Sequence, residues 1–165
     1  MGFDVANKIV GIEEAADRAR QLQASGGKVV FTNGCFDLLH AGHVRYLGQA
    51  RGMGDMLIVG LNSDDSVRSL EKSPERPLVP QEQRAEVLAG LAAVDLVVIF
   101  AEPTPADLIR AIEPDVLVKG GDWPVETIVG AKDVQARGGQ VISIPLVEGL
   151  STTDMVERIR KQSPN

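Results

Sequence analysis

Short apolar segments alternate with helical segments along the whole chain, and this alternation limits the fold more than any other feature. Five β-rich segments are predicted as strands, at residues 28–32, 56–61, 96–100, 116–119 and 140–144. Seven helical patterns lie before, between and after them, at residues 12–24, 42–51, 64–70, 80–91, 105–112, 127–137 and 152–161. Because such strands bury both faces of a parallel sheet, right-handed crossovers predict an α/β fold with a Rossmann-like, doubly wound, five-stranded parallel sheet.

The length and composition predict one domain. The 165 residues are 44% hydrophobic and 24% charged, which is ordinary for a globular protein with a substantial core. We expect a single domain over residues 1–165, with residues 1–11 as an N-terminal extension and residues 162–165 as a frayed tail. Three prolines in the segment 71–80 exclude a helix there and predict an ordered loop.

The charge and the cysteine count exclude several classes of partner. A formal net charge of −6 argues against nonspecific nucleic-acid binding, which needs a basic surface. No apolar stretch approaches the ~20 residues that span a membrane, and the N-terminus lacks a secretory signal pattern. The single cysteine, Cys35, excludes an intrachain disulfide and is typical of a reducing compartment. We therefore expect a cytoplasmic protein that binds no nucleic acid and no membrane.

The decapeptide GCFDLLHAGH, at residues 34–43, is the most specific motif in the chain. It follows the first predicted strand and leads into a helix, so unpaired helical N–H groups could hold a phosphate. His40 and His43, three residues apart, have three interpretations. They could make only local hydrogen bonds, or they could bind zinc with carboxylates, since the chain has no third histidine. They could also donate N–H groups to phosphate oxygens in phosphoryl transfer.

Polar and glycine residues follow every predicted strand. In a parallel sheet, ligands bind outside the carboxyl ends of the strands, where the strand order reverses. The segments at these ends are residues 33–43, 62–64, 102–104, 120–123 and 148–153. The sequence therefore predicts one ligand site built from several strand ends.

These motifs together resemble a known family. The decapeptide is similar to the G-x-F-D-x-x-H-x-G-H signature of the cytidylyltransferase-like nucleotidyltransferases. Further matches follow in order: residues 62–64, 76–77, 82–84, the KGGDW segment at 119–123 and the EGLSTT segment at 148–153. The set, which runs from about residue 15 to residue 160, resembles the bacterial D-glycero-β-D-manno-heptose 1-phosphate adenylyltransferases.

The resemblance implies an activity, a cofactor and partners. ATP and the sugar 1-phosphate would give ADP-heptose and pyrophosphate, for the lipopolysaccharide core, with Mg²⁺ held mainly by the phosphates. It implies a homodimer and, in the same pathway, a separate heptose kinase. An alternative is a cytidylyltransferase that acts on glycerol 3-phosphate or another polyol phosphate. A second alternative is a nucleotide-binding sensor without catalysis. A dinucleotide dehydrogenase is disfavoured, because no G-x-G-x-x-G follows the first strand.

The resemblance also implies roles for individual residues. The catalytic residues would be His40, His43 and Lys72. The nucleotide-binding residues would be Asn33, Gly34, Cys35, Phe36, Gly42, His43, Lys119, Gly120, Ser151, Thr152 and Thr153. The substrate-binding residues would be Asp37, Asn62, Asp64, Arg76, Arg84, Asp122 and Trp123. The chain departs from the family at Lys72, which is followed by serine where the family commonly has glycine.

Several of these residues also have a structural interpretation. Asn33 and Asp37 could only order the turn through local backbone bonds. Ser151 and Asp154 have the spacing of a helix capping box. Trp123 could be a core anchor, and Cys35 could be a reactive thiol or only a small residue beside the ligand.

Overall fold

Five strands form one parallel sheet in the computed structural model, which describes residues 5–70, 75–147 and 149–162. The strands are β1 (Val29–Gly34), β2 (Met56–Asn62), β3 (Leu96–Phe100), β4 (Val116–Gly120) and β5 (Gln140–Ile144). Their order in the sheet is β3-β2-β1-β4-β5, and every neighbouring pair is parallel. The Rossmann-like doubly wound sheet predicted from the sequence is confirmed.

Helices cover both faces of this sheet. They are α1 (Ile12–Ala24), α2 (Ala41–Arg51), α3 (Asp64–Ser69), α4 (Gln81–Ala89), α5 (Ala106–Ile112), α6 (Ala131–Ala136) and α7 (Thr152–Gln162). Consecutive strand residues point to opposite faces, so Phe31 packs with α1, α5 and α6 while Val30 packs with α2 and α4. This is why the strands read as continuous apolar runs.

One predicted helix is wrong over its first turn. The pattern at 127–137 predicts a single helix, but the structure has a 3₁₀ turn at Val125–Thr127 and an α-helix only at Ala131–Ala136. Ile128 is extended, and Gly130 has a φ of +83°, which is the left-handed region that favours glycine. The backbone therefore bends where apolar periodicity alone continues the helix.

The N-terminal extension is partly structured. Ala6–Lys8 forms a 3₁₀ turn, and the next residues pair with the edge strand β3, where the Val10 N–H donates to the Val97 carbonyl at 3.0 Å. The Lys8 ammonium donates to the carbonyl of Val94 at 2.8 Å. In the part of the chain that the structure describes, no helix is long and apolar enough to cross a membrane.

The strand order reverses between β1 and β4. The chain runs outward from β1 to β2 and β3, and then crosses back to place β4 on the other side of β1. Such a reversal leaves a crevice at the carboxyl ends of the two central strands. Asn33 and Gly34 end β1 and Lys119 and Gly120 end β4, so this crevice is where the sequence predicts the ligand.

Candidate active site

The two signature histidines cap the start of helix α2. His40 is the N-cap residue, with an extended backbone, and its Nδ1 accepts a hydrogen bond from the Gly42 N–H at 3.1 Å. The His40 backbone N–H donates to Nδ1 of His43 at 3.3 Å. The two rings stack at a tilt, with their centroids 4.0 Å apart and their planes at 32°. His40 therefore precedes the helix, whereas His43 lies in its first turn.

These bonds determine where each ring carries its hydrogen. A neutral imidazole has one donor and one acceptor nitrogen, and Nδ1 is the acceptor in both rings. Each Nε2 is therefore a donor. Burial, and second the nearby His40, lower the pKa of His43 from 6.5 to about 4, so its ring is neutral at pH 7. The start of α2 thus presents the Nε2–H donors of both rings at the positive end of the helix dipole.

Gly42 allows this close arrangement of the rings. A Cβ atom at position 42 would lie 2.9 Å from both Cε1 and Nδ1 of His40, and 3.3 Å from Cβ of Leu150. Carbon atoms pack at about 3.5–4.0 Å, so a side chain here would displace the His40 ring from its cap.

Folding stability should depend on pH through His43. The unfolded chain takes up a proton on this residue below about 6.5, whereas the folded ring stays neutral down to about 4. The unfolded state then binds more protons, so stability is lost as the pH falls from about 6.5 to about 4. Melting temperatures across this range should fall more steeply for the wild type than for His43→Asn, which cannot take up that proton. Equal slopes of melting temperature against pH in the two proteins would contradict the lowered pKa of His43.

Phe36 lines two of the cavities around the histidines. Its φ of +44° lies in the left-handed region, which is rare for a bulky residue and costs of order 1–3 kcal/mol. In this conformation the ring is buried and meets His43 edge to face, with centroids 5.5 Å apart. The strained backbone thereby fixes one side of the His43 ring.

A cavity of about 310 Å³ lies at the sheet crevice, between the starts of α2 and α7. We call it the central cavity. It contains ten of the eleven predicted nucleotide-binding residues: Asn33, Gly34, Cys35, Phe36, Gly42, His43, Lys119, Gly120, Ser151 and Thr152. Its remaining lining is His40, Arg45, Tyr46, Gln49, Pro145, Leu146, Val147 and Leu150. Polar donors and two cations therefore share one cavity with an apolar wall.

Two further cavities adjoin the central cavity through different lining residues. The arginine cavity, about 380 Å³, contains Arg76 and Arg160 and shares four lining residues with the central cavity, namely Cys35, Phe36, His43 and Thr152. The tryptophan cavity, about 220 Å³, is lined by Pro105, Trp123, Thr127, Ile128 and Val129, and it shares Asn33 and Lys119 with the central cavity. Among the described residues, the two outer cavities have no lining residue in common.

The start of α7 closes the central cavity opposite α2. The Ser151 hydroxyl accepts a hydrogen bond from the Asp154 N–H at 3.0 Å, as the capping pattern predicts. The Thr152 hydroxyl donates to the carbonyl of Leu38 at 3.0 Å, which joins this helix to the signature turn. Thr153 lines the arginine cavity rather than the central one. The N-termini of two helices therefore border the same space, a favourable arrangement for a polyphosphate.

Asp37 joins the signature turn to the loop before α4. Its buried carboxylate accepts from the N–H groups of Leu78 and Val79, each at 2.9 Å, and from the guanidinium of Arg76 at 3.1 Å. Arg76 still lines the arginine cavity, as does Asp37. The bonds of Asp37 are therefore to a distant loop and not to the local backbone that the structural interpretation above considered.

Arg84 is a buried connector beneath the site. Its side chain is fully buried, and it donates to the carbonyls of Cys35 (2.7 Å), Asn62 (2.8 Å) and Val79 (2.8 Å). It also pairs with Asp64 at 2.7 Å. The ends of β1 and β2, the start of α3 and the loop before α4 are therefore joined by one side chain.

The structure brings some predicted site residues together and not others. Arg84 donates to the Asn62 carbonyl and to the Asp64 carboxylate, and none of these three residues lines any of the three cavities. Asp122 is exposed and lines none of them either. Direct substrate contacts by these four residues remain predictions. Lys72 lies outside the described residues, as does Glu148 of the EGLSTT segment, so the catalytic role of Lys72 also remains a prediction.

Sequence reasoning missed part of the lining. Tyr46 lies three residues after His43, on the same helix face, so the helical spacing could have identified it. Its hydroxyl bonds to the buried Thr32 hydroxyl, and burial raises its pKa to about 12. Leu146 follows β5 and could have been identified from the strand-end rule. No sequence signal indicated Arg160 or Val129.

The chain is similar in sequence to known proteins over most of its length. The sequence model of the family described as cytidylyltransferase-like matches residues 31–158. A bifunctional protein HldE from Azotobacter vinelandii is 54% identical over 154 residues, which are 93% of this chain and 32% of that protein. The HldE of Syntrophotalea carbinolica is 57% identical over 134 residues, or 81% and 27%. The chain thus spans about a third of the length of these curated relatives.

Two solved structures share its fold. A lipopolysaccharide core biosynthesis protein from Thermoplasma volcanium has a TM-score of 0.60 at 25% identity, covering 74% of this chain and 98% of that one. A pantoate-beta-alanine ligase from Francisella tularensis has a TM-score of 0.59, covering 94% and 79%. At 16% identity, the second likeness shows the fold alone.

Proposed function

This chain belongs to the cytidylyltransferase-like family and is an enzyme of the nucleotidyltransferase type, and we propose that it is an adenylyltransferase. Its substrates would be ATP and D-glycero-β-D-manno-heptose 1-phosphate, and its products ADP-heptose and pyrophosphate, in the synthesis of the lipopolysaccharide core. The relatives named HldE and the structural neighbour named as a lipopolysaccharide core biosynthesis protein support this substrate.

The pair of histidine donors carries this proposal. Both Nδ1 atoms are occupied by backbone N–H groups, so both Nε2–H groups are donors at the border of the central cavity. Donors that are already oriented stabilise charge that develops on a leaving group without any reorganisation during the reaction. Two helix N-termini beside them suit the phosphates of a nucleotide.

The reaction itself needs few protein groups. A phosphate oxygen of the sugar 1-phosphate attacks the α-phosphorus of ATP and forms a new oxygen–phosphorus bond. The bond from that phosphorus to the bridging oxygen of the β-phosphate breaks, and pyrophosphate leaves with the electron pair. The acceptor phosphate is already ionised at neutral pH, so no general base is assigned. Positioning and charge stabilisation then account for catalysis.

Magnesium would enter as part of the substrate. The described residues include no group of three or more histidine, cysteine, aspartate or glutamate side chains that could hold a metal ion. A Mg²⁺ ion bound mainly by phosphate oxygens and water needs no such group of side chains, and this is a common binding mode for the ion. The bound ion would neutralise phosphate charge, while Arg45 and Lys119 lie at the same cavity.

Pyrophosphate release with a panel of nucleotides and acceptors tests the proposal. We expect turnover with ATP and the heptose 1-phosphate, and little with CTP or glycerol 3-phosphate. A preference for CTP and glycerol 3-phosphate would support the cytidylyltransferase alternative instead. Tight ATP binding without turnover on any acceptor would support the sensor alternative. A kinase that supplies the sugar 1-phosphate and a homodimeric assembly remain predictions from the resemblance.

A further inference from the structure

We infer, on the basis of the proposed function, that Tyr46 is a positioning residue for the nucleotide. Its hydroxyl joins β1 to β4 where the ladder between these strands ends, and so sets the spacing of Asn33 and Lys119 at the central cavity. Tyr46 lies outside the signature decapeptide and is the single tyrosine of the chain. It lines the central cavity, but its hydroxyl bonds to protein groups and not to the space of the cavity.

The ladder between β1 and β4 is short at the reversal of strand order. The strand β1 pairs with β2 as far as Gly34, whereas among the described residues its pairing with β4 ends at Phe31 and Leu117. The strand β4 continues to pair with β5 as far as Gly120. The two central strands therefore part before they reach the cavity, and the backbone groups that face this gap need other partners.

The Tyr46 hydroxyl lies between the two parting strands. It bonds to the Thr32 hydroxyl and donates to the Val118 carbonyl, the latter at a long distance of 3.5 Å. Thr32 and Val118 are the residues that follow the last ladder pair on each strand. A phenol carries one hydrogen, so the Thr32 hydroxyl donates to Tyr46 while Tyr46 donates to Val118. This hydroxyl chain continues the connection between β1 and β4 through side chains.

The hydroxyl chain is buried. Thr32 is fully buried. Burial raises the pKa of Tyr46 to about 12, although hydrogen bonds with the Thr32 hydroxyl and the Gly120 backbone oppose this increase, so the phenol is neutral at pH 7. A buried polar group that loses its partner keeps its desolvation cost, which favours the bonded arrangement. Since no ligand can reach the Thr32 hydroxyl, this group can affect a substrate only through its neighbours.

The next residue on each strand borders the site. Asn33 follows Thr32 on β1, and Lys119 follows Val118 on β4. Both Asn33 and Lys119 line the central cavity and the tryptophan cavity. Their separation depends on the preceding residues, which the Tyr46 hydroxyl joins. Groups that orient a substrate act only in the correct geometry, so the hydroxyl chain acts on the nucleotide through the spacing of these two residues.

Two substitutions remove the hydroxyl chain from opposite ends. Tyr46→Phe deletes the phenol oxygen and keeps the aromatic ring at the cavity. Thr32→Val replaces the partner hydroxyl by a methyl group at a fully buried position. We expect each variant to raise the KM for ATP by ~3–10-fold, the usual effect of one hydrogen bond. The double variant should raise it no further than the larger single change, because residues in one hydrogen-bonded chain are not additive.

Thr32→Ser is the matched control, because it keeps the hydroxyl and loses only a buried methyl group. Its melting temperature should fall, as expected for a cavity in the core, while its KM for ATP should stay near the wild-type value. A structural role alone would lower the amount of folded enzyme and hence the measured kcat, but would leave KM unchanged. A raised KM in Thr32→Ser would show that repacking, and not the hydroxyl chain, alters the site, and would overturn the inference.

The two single variants also distinguish positioning from direct contact. A KM for ATP that rises in Tyr46→Phe but not in Thr32→Val would indicate that the phenol contacts the nucleotide, and would overturn the positioning role. Unchanged KM values in both variants, with normal turnover in the wild type, would overturn it while leaving the proposed function intact.

Hydrogen exchange gives a readout that does not depend on turnover. The Gly120 amide should exchange faster in Tyr46→Phe and Thr32→Val than in the wild type, whereas the Leu57 amide of β2 should be unaffected. If the wild type turns over no ATP, the proposed function fails, and this comparison alone then decides whether the hydroxyl chain joins the strands. Equal exchange of the Gly120 amide in all three proteins would overturn the inference.

Discussion

Replacing His43 by alanine is expected to lower kcat by ~10²–10³-fold, because the variant lacks the Nε2–H donor that we propose stabilises the departing pyrophosphate. The KM for ATP should change much less, since the helix N-termini and the cations of the central cavity remain. Steady-state kinetics of pyrophosphate release at saturating acceptor measures both constants. Nearly wild-type turnover in His43→Ala would contradict the catalytic role.

A second variant separates this loss from damage to the helix cap. His43→Asn keeps a side-chain acceptor near the His40 backbone N–H, which bonds to the imidazole in the wild type. The melting temperature measures the effect of each variant on the helix cap, and kcat measures the effect of losing the donor. A large fall in kcat at an unchanged melting temperature identifies charge stabilisation. Parallel losses of both in the two variants would instead indicate a structural role.

Replacing Arg84 by methionine is expected to destabilise the protein by about 3 kcal/mol. Removing one partner of a buried ion pair costs about 3–5 kcal/mol, and the 24% exposure of the Asp64 side chain places this pair at the lower end. Three backbone carbonyls also lose their donor. Urea denaturation measures the change in the free energy of unfolding.

An exposed arginine provides the matched control. Arg68 pairs with Asp65 three residues earlier in α3, and the two side chains are 60% and 90% exposed. Exposed pairs of this kind contribute about 0–1 kcal/mol to the free energy of unfolding. Arg68→Met should therefore leave the midpoint of urea denaturation almost unchanged. Arg84→Lys should lose an amount of stability between those of Arg68→Met and Arg84→Met, because a single ammonium cannot bond all four acceptors at once. If Arg84→Met unfolded at the same urea concentration as the wild type, Arg84 would contribute nothing to the free energy of unfolding.

The sheet could be predicted because its physical cause is local. Strands buried on both faces are continuously apolar, and a period of two places Val30 and Phe31 in opposite cores. The start of α6 could not be predicted in this way. Apolar periodicity continues through Ile128 and Val129, while the left-handed backbone of Gly130 interrupts the helix.

The candidate site could be predicted only as a collection of strand ends. Those ends supplied most of the central cavity, because parallel strands bring their carboxyl ends to one edge. The long-range contacts of the site could not be predicted in this way. Arg84 has the sequence environment of a surface charge, and its acceptors come from residues 35, 62, 64 and 79. A charge can be assigned to the interior only when its distant partners are known.

Helix α7 has no buried side chain, whereas α2 buries Leu47 and Ala50. The two sides of the candidate phosphate site therefore differ in local stability. Helix α2 is anchored in the core, whereas α7 is held by contacts such as the Thr152 bond to Leu38. A segment with little buried surface opens at a low free-energy cost. The apparent affinity for a nucleotide is reduced by the fraction of molecules in which α7 is undocked. On the proposed function, phosphate binding and the docking of α7 would be thermodynamically linked, so that each strengthens the other.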